Sequence, residues 1–196
     1  DRAMRSSLAL VDAGFAERLF TEVMSESKRL QESSPPLVGF QGEHGAYSEI
    51  AARSLSPESA YVPCKSFGNV FSGVEDGSYD LGVVPVENST QGIVSHTLDN
   101  FLLSDLKICG EIELRVHQNL LSLAKSLGQI ERVYSHEQSL SQCKNWLRTH
   151  LPGVELIAVG SNSEAARRVR NSPEAAAIAG RSAAEVYGLP VMFADI

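Results

Sequence analysis

Short apolar runs alternate with segments of helical periodicity through most of this chain, and that alternation restricts the fold more than any other feature. Residues 38–40, 60–65, 81–86, 133–135, 154–159, 175–179 and 191–196 read as strands. Residues 47–55, 67–75, 93–103, 139–150, 163–169 and 182–187 read as helices between them. Short strands separated by helices predict parallel sheets covered on both faces. Residues 107–115 alternate polar and apolar positions and read as a longer strand crossing between two such sets, the second opened by a strand over 118–123. The expected class is therefore α/β, with two lobes and a cleft between them.

Residues 1–34 differ from the rest. Phe15, Leu19, Phe20, Val23, Met24, Ser27 and Leu30 recur at helical spacing, with charged residues between them. That pattern is an amphipathic helix in need of a partner. Ser33-Ser34-Pro35-Pro36 ends it in an extended linker. The expected division is a helical segment over 1–34, a first lobe over 35–114 and a second over 115–196.

The formal net charge of −7 argues against nucleic acid as the main partner, because phosphate binding depends on Lys and Arg. A small anion needs only a local site and stays open. No apolar run approaches the roughly 20 residues of a membrane span, and no signal peptide is visible, so a cytoplasmic protein is expected. Cys64, Cys109 and Cys143 lack metal-type spacing and read as free thiols. His44, His96, His117, His136 and His150 are scattered, so no metal site is expected.

Four turns at predicted strand ends carry the polar groups. In Leu81-Gly82-Val83-Val84-Pro85-Val86-Glu87-Asn88-Ser89-Thr90-Gln91-Gly92 a buried strand runs into a polar turn, where open α/β sheets place ligands. Ser89 or Thr90 is positioned to cap the helix over 93–103, whose first N–H groups would favour an anion. Glu87 reads either as a catalytic carboxylate or, preferably, as an anchor of the turn. Gly42 and Gly45 shape a second turn that is neither a dinucleotide fingerprint nor a P-loop. Ser135, with Gln138 and Gln142 one helical turn apart, forms a third; Ser161, Asn162 or Ser163 caps a helix in the fourth. Any of these also reads as an ordinary capped turn. Together, hydroxyls, amides and helix ends suit a small polyanion and charge developing in a transition state, and suit covalent catalysis poorly.

The motifs carry a resemblance. Gly39-Phe40-Gln41-Gly42-Glu43-His44-Gly45-Ala46-Tyr47-Ser48 resembles the opening motif of prephenate dehydratases. Val84-Pro85-Val86-Glu87-Asn88-Ser89 with Gly92 is similar to their Val-Pro-x-Glu-Asn-Ser-x-x-Gly signature. Ser135-His136-Glu137-Gln138, then Gln142-Cys143 and Trp146-Leu147, resembles their Ser-His-Pro-Gln segment. Ala176-Ala177-Ile178-Ala179, followed by Tyr187-Gly188-Leu189, is similar to the last motif of the second lobe. The resemblance implies a fold like periplasmic binding proteins, with the active site between lobes. It implies conversion of prephenate to phenylpyruvate on the route to phenylalanine, without cofactor or metal, in a homodimer. Arogenate is not distinguished from prephenate, and a non-catalytic anion-binding module of the same fold is the alternative. By residue match, Asn88, Ser135 and Gln142 correspond to catalytic polar residues. Ala46, Tyr47, Glu87, Ser89 and Thr90 are candidates for substrate binding, with backbone at Ala46, Ser89 and Thr90 holding a carboxylate.

Glu137 stands where the family has Pro, adding negative charge near an anion site. The family's Thr-Arg-Phe motif, whose threonine is the proposed acid for the leaving hydroxyl, would follow Ile196, with a regulatory ACT domain later still. The chain is read as stopping before both, with weak or no activity expected. The segment Phe20-Thr21-Glu22-Val23-Met24-Ser25-Glu26-Ser27-Lys28-Arg29-Leu30-Gln31 resembles the last helix of a fused chorismate mutase domain, with Ser27 and Gln31 at its site positions. One helix cannot build that site, so no mutase activity is expected.

Overall fold

The computed structural model describes residues 12–32, 34–90 and 92–196. Gln91 of the polar turn, Ser33 of the linker and the side chains of Lys28, Leu30 and Gln31 lie outside the described residues. The chain divides into two units at Pro35 and Pro36. In the first, α1 (Ala13–Glu32) is one helix, opened by Asp12, whose carboxylate accepts the Phe15 N–H at 3.1 Å. Its predicted apolar stripe, Phe15, Leu19, Phe20, Val23 and Met24, is exposed.

The second unit holds two lobes. Lobe 1 is built on β1 (Leu37–Gln41), flanked in parallel by β2 (Ala60–Cys64) and β3 (Leu81–Val83). The crossovers are α2 (Tyr47–Leu55) and α3 (Phe67–Glu75), as the periodicity predicts. Val38 and Phe40 alternate with Gly39 on β1 and meet Ala52 of α2 in a small core. Ser66 caps α3 by accepting the Asn69 N–H at 3.2 Å.

The strand expected over 81–86 stops at Val83. Pro85 cannot donate to a ladder, and its carbonyl accepts the hydroxyl of buried Thr97 at 2.7 Å. Beyond it, β4 (Glu87–Asn88) and β5 (Gly92–Ile93) pair as a minimal antiparallel hairpin. The next helix, α4 (Ser95–Leu103), therefore starts at Val94 with no side-chain cap, and the capping role expected of Ser89 or Thr90 is not realised. Phe101 of α4 packs edge-on against Phe71 at 4.8 Å between ring centroids. The strand expected over 107–115 does not form either. Those residues lack strand pairing, and Ile108 is 69% exposed; alternation alone does not make a strand without an edge to pair with.

Lobe 2 is a mixed five-stranded sheet in the order β10-β6-β9-β7-β8. Its strands are β6 (Asn119–Ser122), β7 (Arg132–Ser135), β8 (Glu155–Ala158), β9 (Ala175–Ala179) and β10 (Val191–Phe193). β7 runs parallel to β8 and β9, as expected. The purely parallel expectation fails at β6, which is antiparallel to both neighbours; only a short 3₁₀ turn (Leu127–Gln129), not a helical crossover, joins it to β7. The all-buried run of β9 is four alanines and Ile178. Alanine is a modest strand former, but its small side chain lets α7 (Asn162–Val169) and α8 (Arg181–Tyr187) come close through Ala165, Ala166, Ala183 and Ala184. The helix expected over 139–150 is two, α5 (Glu137–Gln142) and α6 (Lys144–His150), with Cys143 at φ −88°, ψ 5° between them. No Gly or Pro marks that break, so the helical period passes through it. Burial pushes the Cys143 thiol up to about 11, which leaves it an inert core group.

Candidate active site

The lobes meet along two seams. The first is the β1–α2 loop, which is shaped by Gly45 at φ +86°. A Cβ there would stand 2.8 Å from the Ala183 Cα of α8, so glycine is required both by conformation and by the close approach. Glu49, 4% exposed, holds the loop from inside. Its carboxylate accepts the Gly45 N–H at 2.7 Å and pairs with His44 Nδ1 at 3.2 Å and Arg53 Nη2 at 2.7 Å. Burial alone would raise its pKa, but these three donors outweigh burial and lower it.

Four contacts then tie the loop to lobe 2. Ser182 Oγ donates to the Gly45 carbonyl at 2.7 Å. Arg167 grips Glu43 with two nitrogens at 2.9 and 3.0 Å, and that hydrogen-bonded guanidinium lowers the Glu43 pKa. The Tyr187 hydroxyl lies 3.3 Å from both Glu43 Oε2 and the His44 carbonyl. Tyr47 donates its hydroxyl to the His117 carbonyl, and burial pushes that phenol up to about 12. Of the candidates here, Tyr47 thus has its proton engaged, and the Ala46 N–H donates to the Glu43 carbonyl at 3.1 Å.

The second seam is the hairpin. Gly92 takes φ +75° at its return, and Asn88 Oδ1 accepts the Thr90 N–H at 2.8 Å. Glu87, Ser89 and Thr90 are exposed and Asn88 half-buried. Since no helix begins here, helix-end anion binding does not apply to Ser89 and Thr90, and the Thr90 amide is already in use. The hairpin reaches lobe 2 through the Thr90 side chain: Gln142 Nε2 donates to Thr90 Oγ1 at 3.2 Å.

Behind Gln142 lies a chain of amides and hydroxyls. Gln118 Nε2 donates to Gln142 Oε1 at 3.2 Å and to Ser139 Oγ at 3.0 Å. Ser139 also accepts from Asn162 Nδ2 at 2.9 Å. Asn162 Oδ1 accepts the His136 N–H at 3.1 Å and lies 2.9 Å from Ser135 Oγ. Ser135 is fully buried at the end of β7, and its one proton is shared between Asn162 and the Ile178 carbonyl at 2.7 Å. It faces protein acceptors rather than a general base, so no activated nucleophile is assembled.

The structure thus joins the Glu87–Gly92 turn with the third and fourth polar turns in one network and sets the Gly42–Gly45 turn on the other seam. Asn162, read from sequence as a cap candidate, is instead the link between Ser135 and Ser139; the cap is Ser161, accepting the Glu164 N–H at 3.0 Å. Gln118 was not singled out from sequence, and its only signal is a polar amide immediately before an apolar strand. The assembly presents neutral donors and acceptors, suited to orienting carboxylates and a hydroxyl without covalent chemistry.

A family model described as prephenate dehydratase matches residues 38–196. A bifunctional chorismate mutase/prephenate dehydratase of Stutzerimonas stutzeri is 47% identical over 174 residues, 88% of this chain and 47% of that protein. Arogenate dehydratase/prephenate dehydratase 2 of Arabidopsis thaliana is 38% identical over 179 residues, 90% of this chain and 45% of that protein. Among solved structures, prephenate dehydratase from Arthrobacter aurescens in complex with L-Phe superposes with a TM-score of 0.75 at 28% identity, covering 82% of this chain and 55% of that one. The chain spans about half the length of the curated relatives it matches. With the two-lobed α/β fold and four ordered motifs, these matches show that the chain belongs to the prephenate dehydratase family.

Proposed function

We propose that the chain carries the dehydratase chemistry of its family, the decarboxylating dehydration of prephenate to phenylpyruvate. The observation that carries this reading is the Gln142–Thr90 bond, which brings two family motifs from different lobes to one place. In the reaction the ring carboxylate leaves as carbon dioxide, its bonding electrons enter the ring, and the ring hydroxyl leaves with a proton as water. Aromatisation drives both cleavages. The protein has to orient two carboxylates and donate to the departing hydroxyl, which preorganised neutral donors can do. Asn88 and Gln142 are assigned to substrate hydrogen bonding. Ser135 supports them through Asn162, while Ala46, Tyr47, Glu87, Ser89 and Thr90 line the approach. Arogenate differs by one amino group in place of a keto oxygen and is carried as a second substrate, since an arogenate dehydratase is among the relatives. A homodimer, a cytoplasmic setting, a chorismate mutase origin for α1 and lobe boundaries at 35–114 and 115–196 belong to the same reading. The test is calorimetric binding of prephenate together with phenylpyruvate release, for the starting protein and Gln142→Leu. Binding is expected, with turnover that is weak in the starting protein and at least tenfold weaker in Gln142→Leu. Binding without product, in a chain extended to the length of its curated relatives as well, would favour the anion-binding alternative.

A further inference from the structure

We propose that Gln118 is a positioning residue for this site: its side-chain amide sets which way round the Gln142 amide sits, and so makes the Thr90 hydroxyl a hydrogen-bond donor toward substrate. This rests on the dehydratase reading above. A glutamine amide can sit in either sense, and the two senses present opposite hydrogen-bonding character to a neighbour. Here Gln118 spends both Nε2 protons, one on Ser139 Oγ and one on Gln142 Oε1. With its oxygen engaged, Gln142 turns its Nε2 to Thr90 Oγ1. Thr90 accepts that bond, so its own proton is not consumed by it. The hydroxyl is then a donor to a carboxylate or to the leaving hydroxyl, polarised by the amide behind it.

The far end of the chain is anchored by a group that cannot reverse. The His136 backbone N–H donates to Asn162 Oδ1, which turns Asn162 Nδ2 to Ser139 Oγ. Between Ser139 and Thr90, however, the direction is decided by Gln118 alone. If its carbonyl faced Gln142, that amide would reverse, Thr90 would have to donate inward, and only oxygen lone pairs would face an anionic substrate. The observed sense has a cost: Gln118 Oε1 is buried without a partner among the described residues. An orphaned buried acceptor beside two satisfied donor bonds marks a side chain held for the direction it imposes rather than for its own hydrogen bonding.

The test varies the donor and acceptor capacity at position 118. Gln118→Glu, ionised, only accepts and forces reversal. Gln118→His retains a ring N–H donor, and Gln118→Leu imposes neither sense. The expected order of kcat/KM for prephenate is the starting protein and Gln118→His highest, Gln118→Leu lower and Gln118→Glu lowest. The Glu variant should fall on the order of 10- to 100-fold, the loss of a donor to a charged group. Gln118→Leu combined with Gln142→Leu, made as a double variant, should lose no more than Gln142→Leu alone. Side-chain amide NMR follows Gln142 directly. Its Nε2 protons should give strong cross-peaks to the Thr90 side chain in the starting protein and weakened ones in Gln118→Glu. Equal losses in the His and Glu variants, or unchanged kcat/KM in Gln118→Glu, would overturn the proposal. If the starting protein neither binds nor turns over prephenate, the dehydratase reading fails, and unchanged NMR cross-peaks then overturn the role of Gln118 independently.

Discussion

The two seams between the lobes are built on opposite principles. At the glycine-loop seam, backbone meets backbone, with Gly45 against Ala183, and contacts from Ser182, Arg167, Tyr187 and Tyr47 surround it. At the hairpin seam, among the described residues, the side-chain bond is from one amide to one hydroxyl, Gln142 to Thr90, both on exposed surface. The first seam is over-determined and holds the lobes; the second is sparsely bonded and presents the candidate chemistry. Elements that handle ligands are drawn from the weakly held parts of a fold, and this pair of seams separates the two tasks in space.

The comparison is broken most severely at Gly45. Gly45→Ala places a Cβ against the Ala183 backbone in a left-handed conformation, and it should cost about 2–4 kcal/mol in urea unfolding. A loss below about 1 kcal/mol would mean that the seam yields, and that its tightness is not structural. A smaller effect is expected at Glu43, whose ion pair with Arg167 is half-exposed. Glu43→Gln should cost about 0.5 kcal/mol at neutral pH, reduced by added salt. Its pH dependence has a definite sign. Arg167 lowers the folded-state pKa of Glu43 below the ordinary 4.5, so the contribution is complete above that value. It drains away as the pH falls through the lowered value, and the stability gap between the two proteins should close in acid. The smallest stability effect is predicted at the other seam, where Thr90→Val should change unfolding free energy by no more than about 0.5 kcal/mol. A larger loss there would remove the contrast and make the hairpin a second structural clamp.

Much of the fold was legible. The starts and ends of α2 and α3 match their periodicity because each is a short amphipathic crossover with a recognisable stop. The hairpin was not legible, since Glu87-Asn88-Ser89-Thr90 also reads as capping chemistry, and Pro85 hides how early β3 ends. The break at Cys143 was missed because no residue type announces it; that side chain is buried in the lobe 2 core. The antiparallel β6 was missed because strand direction is not written in a pattern of period two.

By itself the sequence determined the α/β class, the order of most elements, the resemblance to one family and the residue types gathered at its polar turns. These follow from spacing, turn chemistry and motif, which are local. Only the tertiary structure decided that Ser135 is buried behind Asn162, that Gln118 stands behind Gln142, and that Glu43 belongs to a seam rather than to the polar network. Those contacts join residues 27, 24 and 124 positions apart, and nothing in a local pattern sets such a distance. Packing of strands and helices within lobe 2 brings the first two pairs together, and the approach of α7 to the lobe 1 glycine loop brings the third.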